Sequence, residues 1–335
     1  MKFFGKEISG PFTIPSGITA TNINVLNRIA HDIPQVGVLT TKSIGPKFRL
    51  GNREPVITQY KPGCFMNAIG LTNPGADEFA KQLSKIKIPE NKFLLTSIFG
   101  ANAEEFVEVA KKLAPYSDGL ELNLSCPHAK GYGMAIGQDP KLVKEIVAAV
   151  KAVVDIPVIP KLTPNTDKIK EIAKAAVEGG ANGICAINTV GPGEFEVEGH
   201  PVLTNIKGGM SGKEILSKGL ECIKNIASVV DVPIIGCGGI SSADDVRLYQ
   251  EAGAIVFGIG TALHGMHTTE VEEFFKVLEK DLESSTNESS KLVKQVDMSF
   301  KKFTLKENRK SATNFSVLVF DKSYDIKPGQ FVFAW

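Results

Sequence analysis

One cysteine of this 335-residue chain stands in a setting that favours chemistry over packing. Cys126 belongs to ELNLSCPHAKGYG (121–133), where it follows a strand-like alternation of apolar residues and precedes a proline and a glycine-rich stretch. An ordinary thiol has a pKa of about 8.5 and can act as a general base near neutral pH. The remaining cysteines are interpreted as small buried hydrophobes, and these are Cys64, Cys185, Cys222 and Cys237.

Two lysines are placed to stabilise negative charge on a ligand. Lys42 follows VGVLTT and Lys161 follows VIP, so each ends an apolar run that predicts a strand. A lysine at such a position can face a cofactor and stabilise developing negative charge. Other lysines lack this setting and are expected to be solvated, among them Lys61, Lys92 and Lys151.

Three asparagines could converge on one ligand from separate loops. Amides both donate and accept hydrogen bonds, which suits a planar ring that carries its own N–H and C=O groups. Asn67, Asn123 and Asn188 are the candidates. Asn73, before Pro74, is interpreted as a turn residue. The histidines are expected to be structural or solvent-facing, namely His31, His200, His264 and His267.

Glycine clusters late in the chain indicate a phosphate site. They are KGGMSG (207–212), GCGGI (236–240) and GIGTA (258–262). Glycine lets a backbone approach a ligand closely, and loop N–H groups can then bind phosphate. Tight turns are the alternative interpretation, but two clusters at successive strand ends favour phosphate.

Alternating strand and helix patterns must position these residues. Segments such as ANAEEFVEVAKKLAPY place Phe106, Val109, Ala110 and Leu113 on one helix face, and TDKIKEIAKAAVEGGA is predicted to begin at the N-cap Thr166. Short apolar runs predict eight strands near residues 13–15, 36–41, 93–98, 119–124, 157–162, 183–188, 232–236 and 254–258.

Eight strands alternating with helices favour a (β/α)8 TIM barrel within the α/β class. An open doubly wound sheet is the competing fold, but no GxGxxG follows the first strand. Active sites of such barrels form at the carboxyl ends of the strands. The candidate residues follow predicted strands repeatedly, which supports the barrel.

Composition excludes several other classes of function. The formal net charge of +1 gives no reason to expect nucleic acid as a partner. No apolar run approaches the roughly 18 residues of a membrane span. Five cysteines without a CxxC predict neither a disulfide framework nor a metal site, and a reducing cytoplasmic location is expected.

Residues 1 to about 275 resemble the class 1 dihydroorotate dehydrogenases, most closely the class 1B form that works with a separate electron-transfer subunit. The resemblance rests mainly on NLSCP (123–127) and NAIGL (67–71). Further matching segments are IPSG (14–17), TTKSIGPKFRLGN (40–52), PVIPKLTPN (157–165), INT (187–189), GGMSG (208–212), PIIGCGGISSADD (233–245) and GIGTAL (258–263).

This resemblance implies an oxidoreductase acting on a CH–CH group, with FMN in the barrel mouth and Cys126 as the base that deprotonates C5 of dihydroorotate. It implies that Lys161 lies beside flavin N1 and the C2 carbonyl. The implied substrate contacts are Lys42, Asn67, Ile69, Gly70, Leu71, Asn123, His128, Asn188 and Thr189. The implied FMN contacts are Ser16, Gly17, Lys42, Ser43, Asn123, Lys161, Ile187, Gly212, Gly238, Gly239, Gly260 and Thr261.

His128 departs from the family pattern, because many members have asparagine after CP. CPH also occurs in dihydropyrimidine dehydrogenases, which act on uracil-type rings, so these are the alternative. A barrel without redox activity, with Lys161 as a Schiff-base lysine, is a third hypothesis. The resemblance also implies a homodimer and a partner subunit that carries FAD and an iron–sulfur centre, and fumarate is the alternative oxidant.

The chain is predicted to have three parts: a barrel over residues 1–283, a polar linker over 284–295 and a β-rich tail over 296–335. SSTNESS (284–290) has linker composition, whereas FSVLVFD and DIKPGQFVFAW predict strands. The tail resembles the first strands of a ferredoxin-reductase-type FAD-binding barrel, which forms the electron-transfer subunit in two-subunit enzymes. The expected fold is therefore a TIM barrel with a short C-terminal β-rich extension.

Overall fold

Eight parallel strands close into a barrel in chain order, as predicted. The computed structural model describes residues 1–19, 22–124, 134–294, 303–313 and 315–323. Each barrel strand overlaps one of the predicted runs. The strands are β1 (Phe12–Thr13), β2 (Val38–Thr40), β3 (Phe93–Ile98), β4 (Gly119–Asn123), β5 (Val158–Leu162), β6 (Ile184–Ala186), β7 (Ile234–Cys237) and β8 (Val256–Gly258).

One amphipathic helix of the outer ring follows each barrel strand. Helix α3 shows how the sequence forms such a helix. Asn102 caps its first turn, and the predicted apolar face of Phe106, Val109, Ala110 and Leu113 is buried. The helices are α1 (Ile23–Asp32), α2 (Ala76–Leu83), α3 (Ala103–Leu113), α4 (Pro140–Lys151), α5 (Ile169–Glu178), α6 (Leu216–Ala227), α7 (Ala243–Glu251) and α8 (Thr268–Ser284). A short helix, Met134–Gly137, precedes α4.

The predicted start of α5 is wrong by two residues. Lys168, not Thr166, is the residue at the N-cap, and its side chain makes no capping hydrogen bond. The Thr166 hydroxyl instead accepts a hydrogen bond from the backbone N–H of Lys168 at 3.0 Å. The threonine therefore stabilises the turn that leads into the helix, a local alternative to capping.

The barrel interior changes from apolar to polar along the strands. Near their amino ends, Phe93, Leu95 and Ile159 pack with Phe3 of the N-terminal hairpin Lys2–Phe3 and Lys6–Glu7. Near the carboxyl ends, the buried side chains include Ser97, Glu121 and Lys161. The amino-terminal end is thus a closed apolar floor, and the other end carries charge and hydroxyl groups.

A four-stranded antiparallel sheet, here termed the cover sheet, lies beside the barrel mouth. Its strands in order are Val190–Glu194, Lys207–Gly212, Cys64–Asn67 and Ile57–Lys61. It is built from the loops after β2 and β6, so it brings two distant parts of the sequence together. A small two-stranded sheet, Glu196–Val197 with His200–Pro201, extends from the same region.

The C-terminal extension is β-rich, as predicted: the strand predicted at FSVLVFD is observed, whereas its partner strand Leu305–Ala312 was not predicted. Residues Leu305–Ala312 and Phe315–Phe320 form an antiparallel hairpin, and the strand predicted within 324–335 lies outside the described residues. Before it, the 3-10 helix Glu288–Leu292 packs against α8: Ser289 is buried, and its N–H donates to the Asp281 carboxylate at 2.7 Å. Part of the predicted linker is therefore held against the barrel, and the three-part division of the chain stays a prediction.

Candidate active site

A cavity of about 390 Å³ opens at the carboxyl ends of the barrel strands, and the cover sheet forms one of its walls. That size is within the range of sites for small ligands and cofactors. Cys126 and His128 lie outside the described residues. All other residues implied by the resemblance line this cavity: Ser16, Gly17, Lys42, Ser43, Asn67, Ile69, Gly70, Leu71, Asn123, Lys161, Ile187, Asn188, Thr189, Gly212, Gly238, Gly239, Gly260 and Thr261.

Asn123, at the end of β4, is oriented by hydroxyl groups that follow β1 and β2. Its Nδ2 donates to Ser43 Oγ at 3.0 Å, and Ser43 Oγ lies 3.0 Å from Ser16 Oγ. This contact turns the Asn123 carbonyl oxygen away from Ser43. That oxygen accepts a hydrogen bond from Asn188 Nδ2 at 3.5 Å. Two of the predicted amides are therefore adjacent.

Asn188 is fixed by its own backbone. Its Oδ1 accepts the N–H of Thr189 at 2.8 Å, so its NH₂ group is left to face Asn123. Asn165, in the loop after β5, supports the loop after β6, because its Nδ2 donates to the Thr189 carbonyl at 3.1 Å and its Oδ1 accepts from Gly191 N at 2.9 Å. The site thus presents an amide donor and an amide acceptor side by side.

The third amide, Asn67, comes from the cover sheet. Its Nδ2 donates to the Gly209 carbonyl at 3.4 Å on the neighbouring strand. The chain then reverses through Gly70 and Leu71, which have φ values of 81° and 60°. Asn73 holds this reversal: its Oδ1 accepts from Gly75 N at 2.9 Å, which confirms that it is a turn residue.

Two cations face the cavity in different electrostatic settings. Lys42 is partly buried, and this burial lowers the pKa of its ammonium group. Lys161 is only 5% exposed. Burial alone would lower the pKa of Lys161, but the negative charge of Glu121, with the nearby Cys237 and Cys185 sulfurs, raises it above the usual value. The Glu121 charge therefore favours the cationic form of Lys161 at the base of the cavity.

Two glycine loops meet closely at the far end of the cavity. Gly212 and Gly239 have φ values of 101° and 77°. A Cβ on Gly212 would lie 2.2 Å from the Gly63 carbonyl oxygen, and one on Gly239 would lie 2.9 Å from the Gly212 carbonyl oxygen. Side chains cannot be accommodated there. Ser242 caps the adjacent α7, and at that amino end the buried Asp245 carboxylate accepts the Ser241 N–H at 2.9 Å. The cradle fits a phosphate group, and the amides and cations fit a planar ring that accepts negative charge.

Several residues that line the cavity were not predicted from the sequence. Phe65 and His264 pack with ring centroids 4.1 Å apart, and burial lowers the pKa of His264. His264, expected to be structural or solvent-facing, therefore forms part of the wall. Phe65 shares a strand face with Asn67 two residues later, and this spacing was an available signal. Lys213 also lines the cavity, as do Ser211 and Cys237, which lie within two of the predicted glycine clusters.

Lys92 contradicts the expectation that it is solvated. It is 2% exposed, and its Nζ donates to the carbonyl oxygens of Ile33, Pro34 and Val36 at 2.9, 3.1 and 2.9 Å. Those carbonyls lie in the loop between α1 and β2, near the barrel floor. Burial lowers the pKa of Lys92 to about 8.

Cys64, Cys185, Cys222 and Cys237 are buried free thiols, as expected, and Cys237 in addition reaches the cavity. Across the described ranges, no cluster of three or more His, Cys, Asp or Glu side chains could hold a metal ion. None of the helices described is both long and apolar enough to cross a membrane.

The barrel and its amide-lined, cationic site define an α/β-barrel enzyme whose ligand lies at the strand ends. The sequence profile named dihydroorotate dehydrogenase matches residues 1–282, and the chain belongs to this family. Among its relatives is a protein of Methanocaldococcus jannaschii that is 44% identical over 264 residues, covering 78% of this chain and 85% of the relative. That protein is named dihydroorotate dehydrogenase B (NAD(+)), catalytic subunit.

Two further relatives carry the same name. The protein of Pyrococcus horikoshii is 44% identical over 267 residues, covering 79% of this chain and 86% of its own length. That of Methanosarcina acetivorans is 41% identical over 262 residues, covering 78% and 84%. This chain is thus similar to catalytic subunits, and the family is one of oxidoreductases that act on CH–CH groups.

Proposed function

We propose that this chain oxidises (S)-dihydroorotate to orotate, a step of pyrimidine biosynthesis, with FMN bound in the cavity. The observation that carries the proposal is the convergence of two amides, two lysines and a glycine cradle at the strand ends of a barrel of this family. The amides match a ring with N–H and C=O groups, and the lysines match its carboxylate and the charge of a reduced flavin.

The roles of the individual residues follow from chemistry and position. FMN, when bound, supplies the acceptor for the hydride that leaves C6 of dihydroorotate. Asn123, Asn188 and Asn67 orient the pyrimidine ring, and Cys126 removes the C5 proton as general base. Lys161 stabilises negative charge at the base of the cavity. The backbone around Gly212, Gly238, Gly239, Gly260 and Thr261 holds the phosphate.

The first test is anaerobic mixing of the FMN-loaded chain with dihydroorotate while the flavin absorbance is followed. We expect rapid bleaching with dihydroorotate and much slower bleaching with dihydrouracil. The reverse preference would assign the chain to the dihydropyrimidine dehydrogenase alternative. A purified chain that binds no FMN and is unreactive with dihydroorotate would refute the proposal.

The assignment of the base is tested by Cys126→Ala and Cys126→Ser. Both variants should bind FMN with parental affinity, because the thiol is not proposed to hold the flavin. Flavin reduction by dihydroorotate should slow by about 10²–10⁴-fold. Cys222→Ala, which removes a buried thiol that belongs to α6, is the matched control and should keep the parental rate. An unchanged rate in Cys126→Ala would rule out this base.

Electron transfer out of the flavin is proposed to use a partner subunit carrying FAD and an iron–sulfur centre. Support comes from the names of the relatives, which are catalytic subunits of NAD(+) enzymes. We further propose a homodimer and a cytoplasmic location. Reoxidation of the reduced chain should be slow with NAD(+) alone and fast when such a subunit is added, and rapid reoxidation by fumarate alone would argue against this partner.

A further inference from the structure

A buried carboxylate beneath the cavity has no role in the function proposed above. Glu121 on β4 is 1% exposed, and its Oε1 accepts the Ser97 hydroxyl at 2.8 Å. Ser97 Oγ is in turn 2.9 Å from Ser43 Oγ, which belongs to the cavity wall. Glu121 is therefore joined to the site by two hydroxyl groups and is held in one position.

The register of the barrel places Glu121 one layer below Lys161. Asn123 pairs with Lys161 across β4 and β5, and Glu121 pairs with Ile159, so the two charges point inward at successive levels. Lys161 and Glu121 make no direct ion pair within the described structure. The negative charge of Glu121 nevertheless raises the pKa of Lys161. The cation is nearer the cavity, and the anion lies behind it.

Such an arrangement controls how much positive potential reaches the cavity. A buried carboxylate without a cation nearby would be costly, so Lys161 is the natural counter-charge for Glu121. Conversely, Glu121 offsets part of the field that Lys161 exerts on a ligand above it. In a poorly solvated interior this offset is weakly screened.

We propose that Glu121, held by Ser97, is the counter-charge of Lys161 that sets the reduction potential of a flavin bound in the cavity. The inference rests on the proposed function. Glu121 touches neither flavin nor substrate, so it is a positioning residue of the electrostatic field. In the absence of the Glu121 charge, an anionic reduced flavin beside Lys161 favours the protonated lysine, and this unopposed cation should in turn stabilise that flavin.

The test is an anaerobic redox titration of the full-length, FMN-loaded Glu121→Gln variant against a reference dye. At a fixed potential, the ratio of reduced to oxidised flavin should rise at least tenfold over the parent, which is about 30 mV for a two-electron couple. Glu145→Gln makes the same change in net charge on the exposed face of α4 and should keep the ratio within twofold.

Two supplementary variants separate charge from structure. Ser97→Ala retains the Glu121 charge and should change the ratio less than threefold. If Glu121→Gln folds poorly, the comparison is made in a background without the cation: Lys161→Met/Glu121→Gln should again show at least a tenfold higher ratio than Lys161→Met. FMN dissociation constants and melting temperatures of every variant show whether a change is merely structural.

The proposal is overturned if FMN-loaded Glu121→Gln, with a parental melting temperature, keeps the parental ratio within twofold. It is equally overturned if Ser97→Ala shifts the ratio as far as Glu121→Gln does, because the hydroxyl and not the charge would then be decisive. When the parent binds FMN and oxidises dihydroorotate, these failures concern Glu121 alone. A parent that does neither overturns the inference together with the proposed function.

Discussion

Each end of this barrel buries a lysine, and the two ends stabilise the ammonium group in different ways. Lys92, near the amino-terminal floor, directs its ammonium group at three backbone carbonyl oxygens within 3.1 Å. Lys161, at the mouth, donates no hydrogen bond to any described residue and has Glu121 as its nearby charge. Burial lowers the pKa of Lys92, whereas the negative charge raises that of Lys161.

The difference separates a structural cation from a functional one. An ammonium group has three donors, and Lys92 uses all of them to hold the loop before β2. It can therefore stabilise the fold but offers nothing to a ligand. Lys161 is held by charge rather than by fixed hydrogen bonds, so its donors face the cavity that it lines. Burial alone does not identify an active-site lysine, because the kind of partner decides whether the ammonium donors are still directed at a ligand.

The largest expected effect comes from removing the functional cation. Lys161→Met should slow flavin reduction by dihydroorotate about 10²–10³-fold, because one preorganised charge at a developing anion contributes roughly 3–4 kcal/mol. Stopped-flow absorbance measures the rate. Lys174→Met, on the neighbouring α5, is the control and should react as the parent does. A loss below threefold would remove Lys161 from the proposed mechanism.

Removing the structural cation, Lys92, should instead lower the stability of the fold and leave flavin reduction intact. Lys92→Met deprives three carbonyl groups of a donor, so the free energy of unfolding should fall by about 2–3 kcal/mol. Urea unfolding measures this fall, and the rate of flavin reduction should stay within threefold. If the variant lost activity at parental stability, the contrast between the two lysines would not hold.

The sequence predicted the barrel because its signals are local. The apolar runs of β3 and β4 and the apolar face of α3 each depend on residues within one element, and the strand ends that these runs predict locate the polar residues that follow them. The positions of Lys42, Lys161 and the asparagines could therefore be anticipated, while their roles stay predictions.

The nature of each buried charge could not be predicted, because it depends on groups distant in the chain. Lys92 follows PEN (89–91), which has no apolar run, and it resembles a surface lysine, yet its acceptors lie in the loop containing residues 33–36. The role proposed for Glu121 depends on Ser97 and Lys161, which lie on two other strands. Likewise, the contact of Phe65 with His264 joins the cover sheet to the loop after β8.

A smaller effect should follow from loosening the apolar floor that Lys92 borders. The Phe3 ring packs edge-on against Phe93, with centroids 5.0 Å apart. Phe3→Leu should cost about 1–2 kcal/mol in the free energy of unfolding, from lost packing and lost aromatic contact. Urea unfolding again provides the measurement. Flavin reduction should be unaffected, since the polar layer separates the floor from the site, and a slower rate would contradict that separation.

The smallest expected effect is a pH dependence of the free energy of unfolding, which arises from Lys92 near the amino-terminal floor. Lys92 has a pKa of about 8 in the folded chain, against about 10.4 for a lysine in an unfolded chain. Between those values the unfolded chain binds more protons, so this group makes the fold more stable as pH rises. Its contribution should grow by about 1 kcal/mol between pH 7.5 and pH 9.

The comparison of parent with Lys92→Met isolates this contribution from other titrating groups. Urea unfolding at the two pH values should show a rise in the parent that exceeds the rise in the variant by about that amount. An equal rise in the free energy of unfolding of parent and variant would mean that the three carbonyl oxygens keep Lys92 protonated across this range. In that event both buried lysines would be permanent cations, and the contrast between them would reduce to the direction in which their donors point.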